Sequence, residues 1–231
     1  MEFYNDKEKE ILDLYKQIEL GKSDICLECR TVCDLSMPIG CWCVGNHFYD
    51  GEKRLLFVGK NARGNPGDEF GSYRNTFEIT RDVLWKKSWA YWSYTRAITE
   101  ALFSDDSPEY IAFTNIVKCN DSPDVDTTSD IVKNNCILQL KVLRKEIEII
   151  KPTNIVFYTS SDYDLHIKEV FDEFEILCDS SKFIGKKSMP WLEANAKIDH
   201  RRISVLRIGH PGRKKKDEFV KNVVDWVINA K

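Results

Sequence analysis

The chain has 231 residues, 42% of them hydrophobic and 31% charged, and its formal net charge at pH 7 is −3. These values are typical of one ordinary globular domain. They exclude an overall positive charge that would attract nucleic acid, so any contact with nucleic acid must come from a local basic patch. No apolar run approaches the roughly 18 residues of a membrane span, and the acidic start MEFYNDKEKE is unlike a signal or transit peptide. We therefore expect a monomeric, cytoplasmic protein with no membrane partner.

Helical and strand patterns alternate along the chain. The apolar spacing predicts a first helix over residues 7–20, and four short apolar runs predict strands at 55–58, 111–117, 154–158 and 203–208. Further helices are predicted at 75–103 in two pieces, 129–150, 162–174 and 216–229. This order predicts right-handed crossovers and a parallel sheet covered on both faces. We expect one α/β domain over residues 1–231, with the N-terminal helix and a cysteine-rich segment in residues 1–50. The expected fold is a three-layer α/β/α sandwich with a four-stranded, mainly parallel sheet.

Polar residues follow the predicted strands, where ligands bind in parallel sheets. The strand ends carry GKNARG at 59–64, Asn115, a Thr-Ser-Ser turn at 159–161 and Gly-His-Pro at 209–211. The first loop is not a Walker A motif, because Asn65-Pro66 follows its second glycine instead of Lys-Ser/Thr, and no G-x-G-x-x-G opens a helix. We therefore expect no nucleotide cofactor.

The eight cysteines are unevenly distributed. In a chain without an export signal, crowded cysteines predict a metal site before they predict disulfides. One interpretation is a local zinc site formed by five of them, namely Cys26, Cys29, Cys33, Cys41 and Cys43. That interpretation leaves Cys119 and Cys136 unexplained.

Three motifs in order resemble those of the uracil-DNA glycosylase superfamily. The first strand ends in G-x-N-x-x-G, the second in FTNIVKCN and the fourth in GHPGR. The superfamily patterns are G-x-[N/D/E]-P-G, N-x-x-K-C and H-P-S. The order and intervals agree over roughly residues 20–230. The chain departs from the patterns at Ala62, which replaces proline, at the additional Arg63, and at Gly212, which replaces serine.

The resemblance implies a monofunctional DNA glycosylase that hydrolyses the N-glycosidic bond of a flipped uracil or modified pyrimidine and leaves an abasic site, as in base-excision repair. His210 would donate a hydrogen bond to the pyrimidine O2 as charge accumulates on the leaving base, and Asn61 would orient the attacking water. Asn115 would bind the O4/N3–H edge of the base. Phe70, in competition with Tyr73 and Phe77, is the predicted stacking aromatic.

The same resemblance interprets four of the cysteines. Iron–sulfur members of the superfamily place a C-x-x-C after an N-terminal helix, a third cysteine after N-x-x-K and a fourth in the next helix. Cys26, Cys29, Cys119 and Cys136 match that arrangement. Four thiolates are the ligand set of a [4Fe–4S] cluster. Zinc remains the alternative metal.

The cationic run after His210 predicts a contact with DNA. Arg213 would insert its flat guanidinium into the DNA base stack at the position that the flipped base leaves. Lys214, Lys215 and Lys216 would contact phosphates or border the final helix. A solvated cationic turn is the competing interpretation.

Two other functions stay open: a glycosylase for a bulky modified pyrimidine in phage DNA, which would act in defence, and a noncatalytic nucleic-acid-binding module that contains zinc.

Overall fold

The computed structural model of the chain describes residues 5–41, 43–61, 77, 80–121 and 128–230. The α-helices in these ranges are α1 (Asp6–Gln17), α2 (Asp24–Val32), α3 (Ala90–Phe103), α4 (Asp130–Lys133), α5 (Val142–Ile150), α6 (Asp164–Val170) and α7 (Lys216–Asn229). The strands are β1 (Cys43–Val44), β2 (Leu55–Asn61), β3 (Ala112–Val117), β4 (Asn154–Phe157), β5 (Glu173–Ile184), β6 (Lys187–Ile198) and β7 (Arg201–Ile208). The α/β class is confirmed. No helix in these ranges combines the length and apolar character needed to cross a bilayer.

The strands form one sheet in the order β1-β3-β2-β4-β7-β6-β5. The four predicted strands are its centre, where β3, β2, β4 and β7 pair in parallel. β1 pairs antiparallel with β3, and β6 and β5 add two antiparallel strands at the other side. The prediction of a four-stranded sheet is therefore wrong, because the sheet described has seven strands.

Helices cover both faces of the parallel centre. On one face, Trp92 of α3 packs edge-on against Phe113 at 5.1 Å between ring centroids, and Phe219 of α7 lies 6.1 Å from Tyr158. On the opposite face, Glu146 of α5 accepts a hydrogen bond from Thr114 of β3 at 2.7 Å and another from Tyr15 of α1. The strands between these layers are buried on both sides, which explains their continuous apolar sequence.

Polar caps set where the first two helices begin. The side chain of Asn5 accepts a hydrogen bond from the backbone N–H of Glu8 at 3.0 Å, and Ser23 accepts one from Cys26 at 3.4 Å. The predicted helix over 129–150 is not continuous. After α4 the chain forms a π-helical stretch, Asn134–Gln139, and Lys141 then takes a left-handed φ of +53° that an α-helix cannot continue through.

Strands β5 and β6 form a hairpin that the sequence analysis did not predict. Its two-residue turn starts at Gly185, whose φ of +61° suits a tight hairpin loop. β6 pairs with β7 from Ile198 opposite Arg201 to Trp191 opposite Ile208. Residues 187–190 of β6 and their partners on β5 therefore extend beyond the carboxyl end of β7. We call residues 183–188 the hairpin tip.

Candidate functional site

The carboxyl ends of β2 and β3 place a glycine and an amide side by side. Gly59 is the register partner of Asn115, and a Cβ built on Gly59 would lie 2.2 Å from the Asn115 Oδ1 atom. Any side chain at position 59 would displace that amide, which explains the glycine at the end of β2. Asn115 is only 6% exposed, so its amide is held in a packed environment and not on an open surface.

A buried ion pair fixes the end of β3 behind Asn115. Lys118 donates to the backbone oxygen of Asn115 at 2.5 Å, to the Thr114 hydroxyl at 2.8 Å and to Glu146 at 2.7 Å. Both charged side chains are fully buried. Because a buried charge is tolerated only when it is paired and hydrogen-bonded, this arrangement holds the backbone of Asn115 in one position.

Tyr91 connects Asn115 to His210, and the sequence analysis missed it. Its hydroxyl lies 3.3 Å from the Cβ position of Gly59, and its ring stacks on the His210 imidazole with 6.0 Å between centroids and 28° between planes. Burial raises the pKa of the Tyr91 hydroxyl far above its ordinary value, so the group is a neutral donor at any physiological pH. The only sequence signal was the density of Trp and Tyr in residues 85–94.

The hydrogen bonding of His210 assigns its proton. The backbone N–H of Gly212 donates to the Nδ1 atom of His210 at 3.0 Å. Nδ1 is then an acceptor, so the neutral ring carries its proton on Nε2. A Cβ on Gly212 would lie 3.0 Å from the same Nδ1 atom, a contact tighter than most real ones. His210 as a residue is exposed at the protein surface.

Asn61 lies two residues beyond Gly59 on β2, which puts both residues on the same face of the sheet. Its side-chain nitrogen donates to the Oδ1 atom of Asn120 at 2.7 Å. With Nδ2 anchored in this way, Oδ1 is the atom that can accept a hydrogen bond from water. We call Gly59, Asn61, Tyr91, Asn115 and His210 together the edge site.

Two of the predicted base-binding residues cannot be placed. Phe70 and Tyr73 lie outside the described residues, as do Ala62 and Arg63 of the first loop. Phe77, which competed with them in the sequence analysis, is fully buried in the hydrophobic core.

The cationic loop after His210 is anchored to the helices beneath it. The Tyr94 hydroxyl of α3 donates to the backbone oxygen of Lys214 at 2.6 Å, and Lys215 pairs with Glu218 of α7 at 2.7 Å. Arg213 is exposed and has a left-handed φ of +64°. The side chains therefore project from a loop whose backbone is held in place.

The four cysteines implicated by the resemblance line one small pocket between α2, the end of β3 and the π-helical stretch. Cys26 and Cys29 come from α2, Cys119 follows β3, and Cys136 lies in Asn134–Gln139. We call these four residues the thiol pocket. Cys33, Cys41 and Cys43 do not line it. Cys41 and Cys43 are instead core residues, and the Cys41 thiol donates to the backbone oxygen of Phe113 at 3.0 Å.

Hydrogen-bond donors face three of the four sulfurs. The backbone N–H of Gly21 lies 3.1 Å from the Cys26 Sγ atom, and the side-chain nitrogen of Asn135 lies 3.3 Å from that of Cys29. Burial raises the pKa of Cys136 to about 12, against the opposing effects of the Lys118 charge and of a hydrogen bond from the Lys118 backbone N–H. As free thiols these groups are neutral, and N–H donors of this kind stabilise sulfur once a metal makes it anionic.

The thiol pocket is not arranged as a closed ligand set. Among the residues that the structure describes, no group of three or more His, Cys, Asp or Glu side chains is arranged to hold a metal ion. The chemical types of these residues still fit a [4Fe–4S] cluster, because the pocket supplies four thiols, with N–H groups that can donate to their sulfurs.

Comparison of the sequence with protein-family models and with curated proteins finds no match. The edge site and the thiol pocket therefore have to be interpreted from their own geometry.

Proposed function

We propose that the protein is a DNA glycosylase that hydrolyses the N-glycosidic bond of a flipped uracil or modified pyrimidine in DNA. The observation that carries this proposal is the edge site, in which the Gly212 N–H leaves the proton of His210 on Nε2 while the Tyr91 ring stacks on the imidazole. Such an arrangement presents an oriented imidazole on the same tyrosine whose hydroxyl lies beside Gly59, the register partner of Asn115, at the carboxyl end of a parallel sheet.

His210 stabilises the leaving base in this mechanism. As the C–N bond breaks, negative charge accumulates on the pyrimidine, and the Nε2–H of His210 donates a hydrogen bond to O2. The neutral ring needs no proton transfer to do this. Tyr91 limits rotation of the imidazole by stacking on it, so the donor is oriented before the substrate arrives.

Asn115 reads the base and Asn61 positions the water. The amide of Asn115 carries a donor and an acceptor side by side, which complements the O4 and N3–H groups of uracil and not the reversed pattern of cytosine. The Oδ1 atom of Asn61 accepts a hydrogen bond from the attacking water and holds it near the sugar carbon. An amide is a weak base, and this role suits a dissociative transition state that needs positioning more than deprotonation.

We also propose that Cys26, Cys29, Cys119 and Cys136 hold a [4Fe–4S] cluster. Support comes from the four thiols of the thiol pocket and the N–H donors at Cys26 and Cys29. The group would stabilise the fold by linking α2, the end of β3 and the π-helical stretch, and it would take no part in the hydrolysis.

The test is base release from a panel of oligonucleotides that carry uracil, other deaminated bases or 5-substituted pyrimidines. The abasic product is detected by alkaline cleavage, and we expect no strand cleavage before alkali is added. Release from a 5-substituted base alone would assign the bulky-pyrimidine substrate. If no base in the panel is released while DNA is bound, the protein is a noncatalytic binding module and the proposal fails.

A further inference from the structure

The hairpin tip stands beside the edge site. β7 ends at Ile208, two residues before His210, whereas its neighbour β6 extends past Ile208 by residues 187–190. At about 3.4 Å per residue, the four-residue overhang reaches roughly 14 Å beyond the end of β7. Gly209 packs against this overhang, because a Cβ at Gly209 would lie 3.7 Å from Pro190 and 3.8 Å from Met189.

Contacts join the hairpin tip to the cationic loop. The two oxygens of Glu218 bind both elements: Oε2 accepts the Gly185 N–H at 2.5 Å, and Oε1 pairs with Lys215 at 2.7 Å. A Cβ on Gly185 would lie 3.3 Å from the Lys215 Cβ atom. The tip and the loop are therefore two parts of one surface.

This surface carries more positive charge than the sequence motif alone indicated. Lys186 and Lys187 are exposed at the hairpin tip, Arg213 and Lys214 follow His210 on the neighbouring loop, and Lys216 begins α7. The carboxylates next to these cations are Glu218, which binds Lys215 and the Gly185 N–H, and the exposed Asp217. Phe183, the first residue of the tip, is 75% exposed and lies on the face of the hairpin opposite Lys187.

We propose that the hairpin tip is a second nucleic-acid contact, in which Lys186 and Lys187 bind phosphates of the sugar–phosphate backbone and Phe183 stacks on an unpaired base. Cations and an exposed aromatic ring on one hairpin tip are a combination that suits a single nucleic-acid strand, since an acidic polypeptide offers no base to stack. The position of that strand next to the reacting nucleotide rests on the proposed function. The binding of a single strand by the hairpin tip does not depend on the proposed function.

The test measures equilibrium binding of an undamaged single-stranded oligonucleotide over a range of salt concentrations. Lys186→Ala/Lys187→Ala should lower the slope of log K against log salt by roughly 1.4 units, the value for two phosphate contacts on a single strand. Lys186→Arg/Lys187→Arg should keep the wild-type slope. The control is Lys197→Ala/Arg202→Ala, which removes one cation from β6 and one from β7 at the end of the sheet opposite the hairpin tip, where the two residues are register partners and Lys197 also pairs with Glu173.

Phe183 has a separate readout. Phe183→Ala should weaken single-strand binding by roughly fivefold or more without changing the salt slope, because stacking involves no counterion release, and Phe183→Tyr should restore the affinity.

The outcomes separate this proposal from the proposed function. If base release persists but the lysine and Phe183 variants bind as the wild type does, the hairpin contact is wrong and the glycosylase stands. If the slope falls as expected while no base is released, the contact stands and the glycosylase fails. Equal competition by a polyglutamate peptide at matched charge would overturn the assignment to nucleic acid.

Discussion

The edge site and the thiol pocket use one short stretch of chain for opposite purposes. Asn115 and Cys119 are four residues apart, yet the first belongs to an edge where His210 is exposed, and the second belongs to a pocket where burial raises the pKa of the Cys119 thiol. Lys118 lies between them, with its ammonium on the Asn115 carbonyl and its backbone N–H on Cys136. The comparison indicates that substitutions at the edge site should lower the rate of base release and that substitutions in the thiol pocket should lower the free energy of unfolding. A substitution of Lys118 should lower both.

Lys118→Met gives the largest expected effect, because it removes one partner of a fully buried ion pair. The free energy of unfolding, measured by urea denaturation, should fall by about 3–5 kcal/mol. Lys221→Met, a change at a 73% exposed side chain, is the control and should shift stability by no more than about 0.5 kcal/mol. If Lys118→Met were as mild as its control, the ion pair would not hold β3 in place.

His210→Ala should lower the single-turnover rate of base release by roughly a hundredfold, the usual cost of one preorganised donor. Asn61→Ala should have a similar effect. Neither change should move the melting temperature by more than that of His47→Ala, which removes an exposed histidine preceding β2. Wild-type rates in both variants would mean that the reaction takes place elsewhere.

Cys119→Ala tests the other region. The purified wild-type protein should be brown, with broad absorption near about 400 nm from a thiolate-bound cluster. The variant should lose that colour and melt at a lower temperature, while base release per folded molecule stays within a factor of about two. Cys178→Ala, at an exposed cysteine, is the matched control. Zinc without iron in metal analysis of the wild type contradicts the cluster assignment.

Asn115→Asp should change selectivity more than rate. The carboxylate removes the amide donor, so discrimination between uracil and cytosine should fall by roughly tenfold. Competition between the two substrates in one reaction measures this ratio directly. An unchanged ratio would show that another group reads the base.

Tyr91→Leu should give the smallest effect, a loss of roughly threefold to tenfold in rate, because it removes an aromatic stack from His210. Tyr91→Phe keeps the ring and isolates the hydroxyl. If Tyr91 only orients His210, Tyr91→Leu should have no further effect in the His210→Ala background. Additive losses would assign Tyr91 a separate contact with the substrate.

The parallel centre of the fold could be predicted from sequence for a physical reason. Strands buried on both faces must be continuously apolar, and residues 55–58, 111–117, 154–158 and 203–208 are easy to recognise. The hairpin could not be recognised in this way. β5 is exposed along almost its whole length and contains a bulge between Ile176 and Cys178, so neither a continuous nor an alternating pattern marks it.

The site residues show the same division. Asn61 and His210 follow apolar runs and Asn115 lies in the last half of one, so all three could be named as candidates from their positions on predicted strands. The contribution of Tyr91 depends on how α3 packs against the sheet, and the tautomer of His210 depends on one backbone N–H at Gly212. Both are properties of the tertiary structure that no local pattern encodes.

The outer strand of the hairpin has a consequence for solution behaviour. Within the described residues β5 pairs only with β6, which leaves a twelve-residue row of backbone groups open to addition of another chain. Its bulge and its charges, Glu175, Asp179 and Lys182, interrupt that row in the way that protects edge strands from aggregation. Neutralising the charges should therefore turn a dispersed protein into one that self-associates through β5, with no change at the edge site.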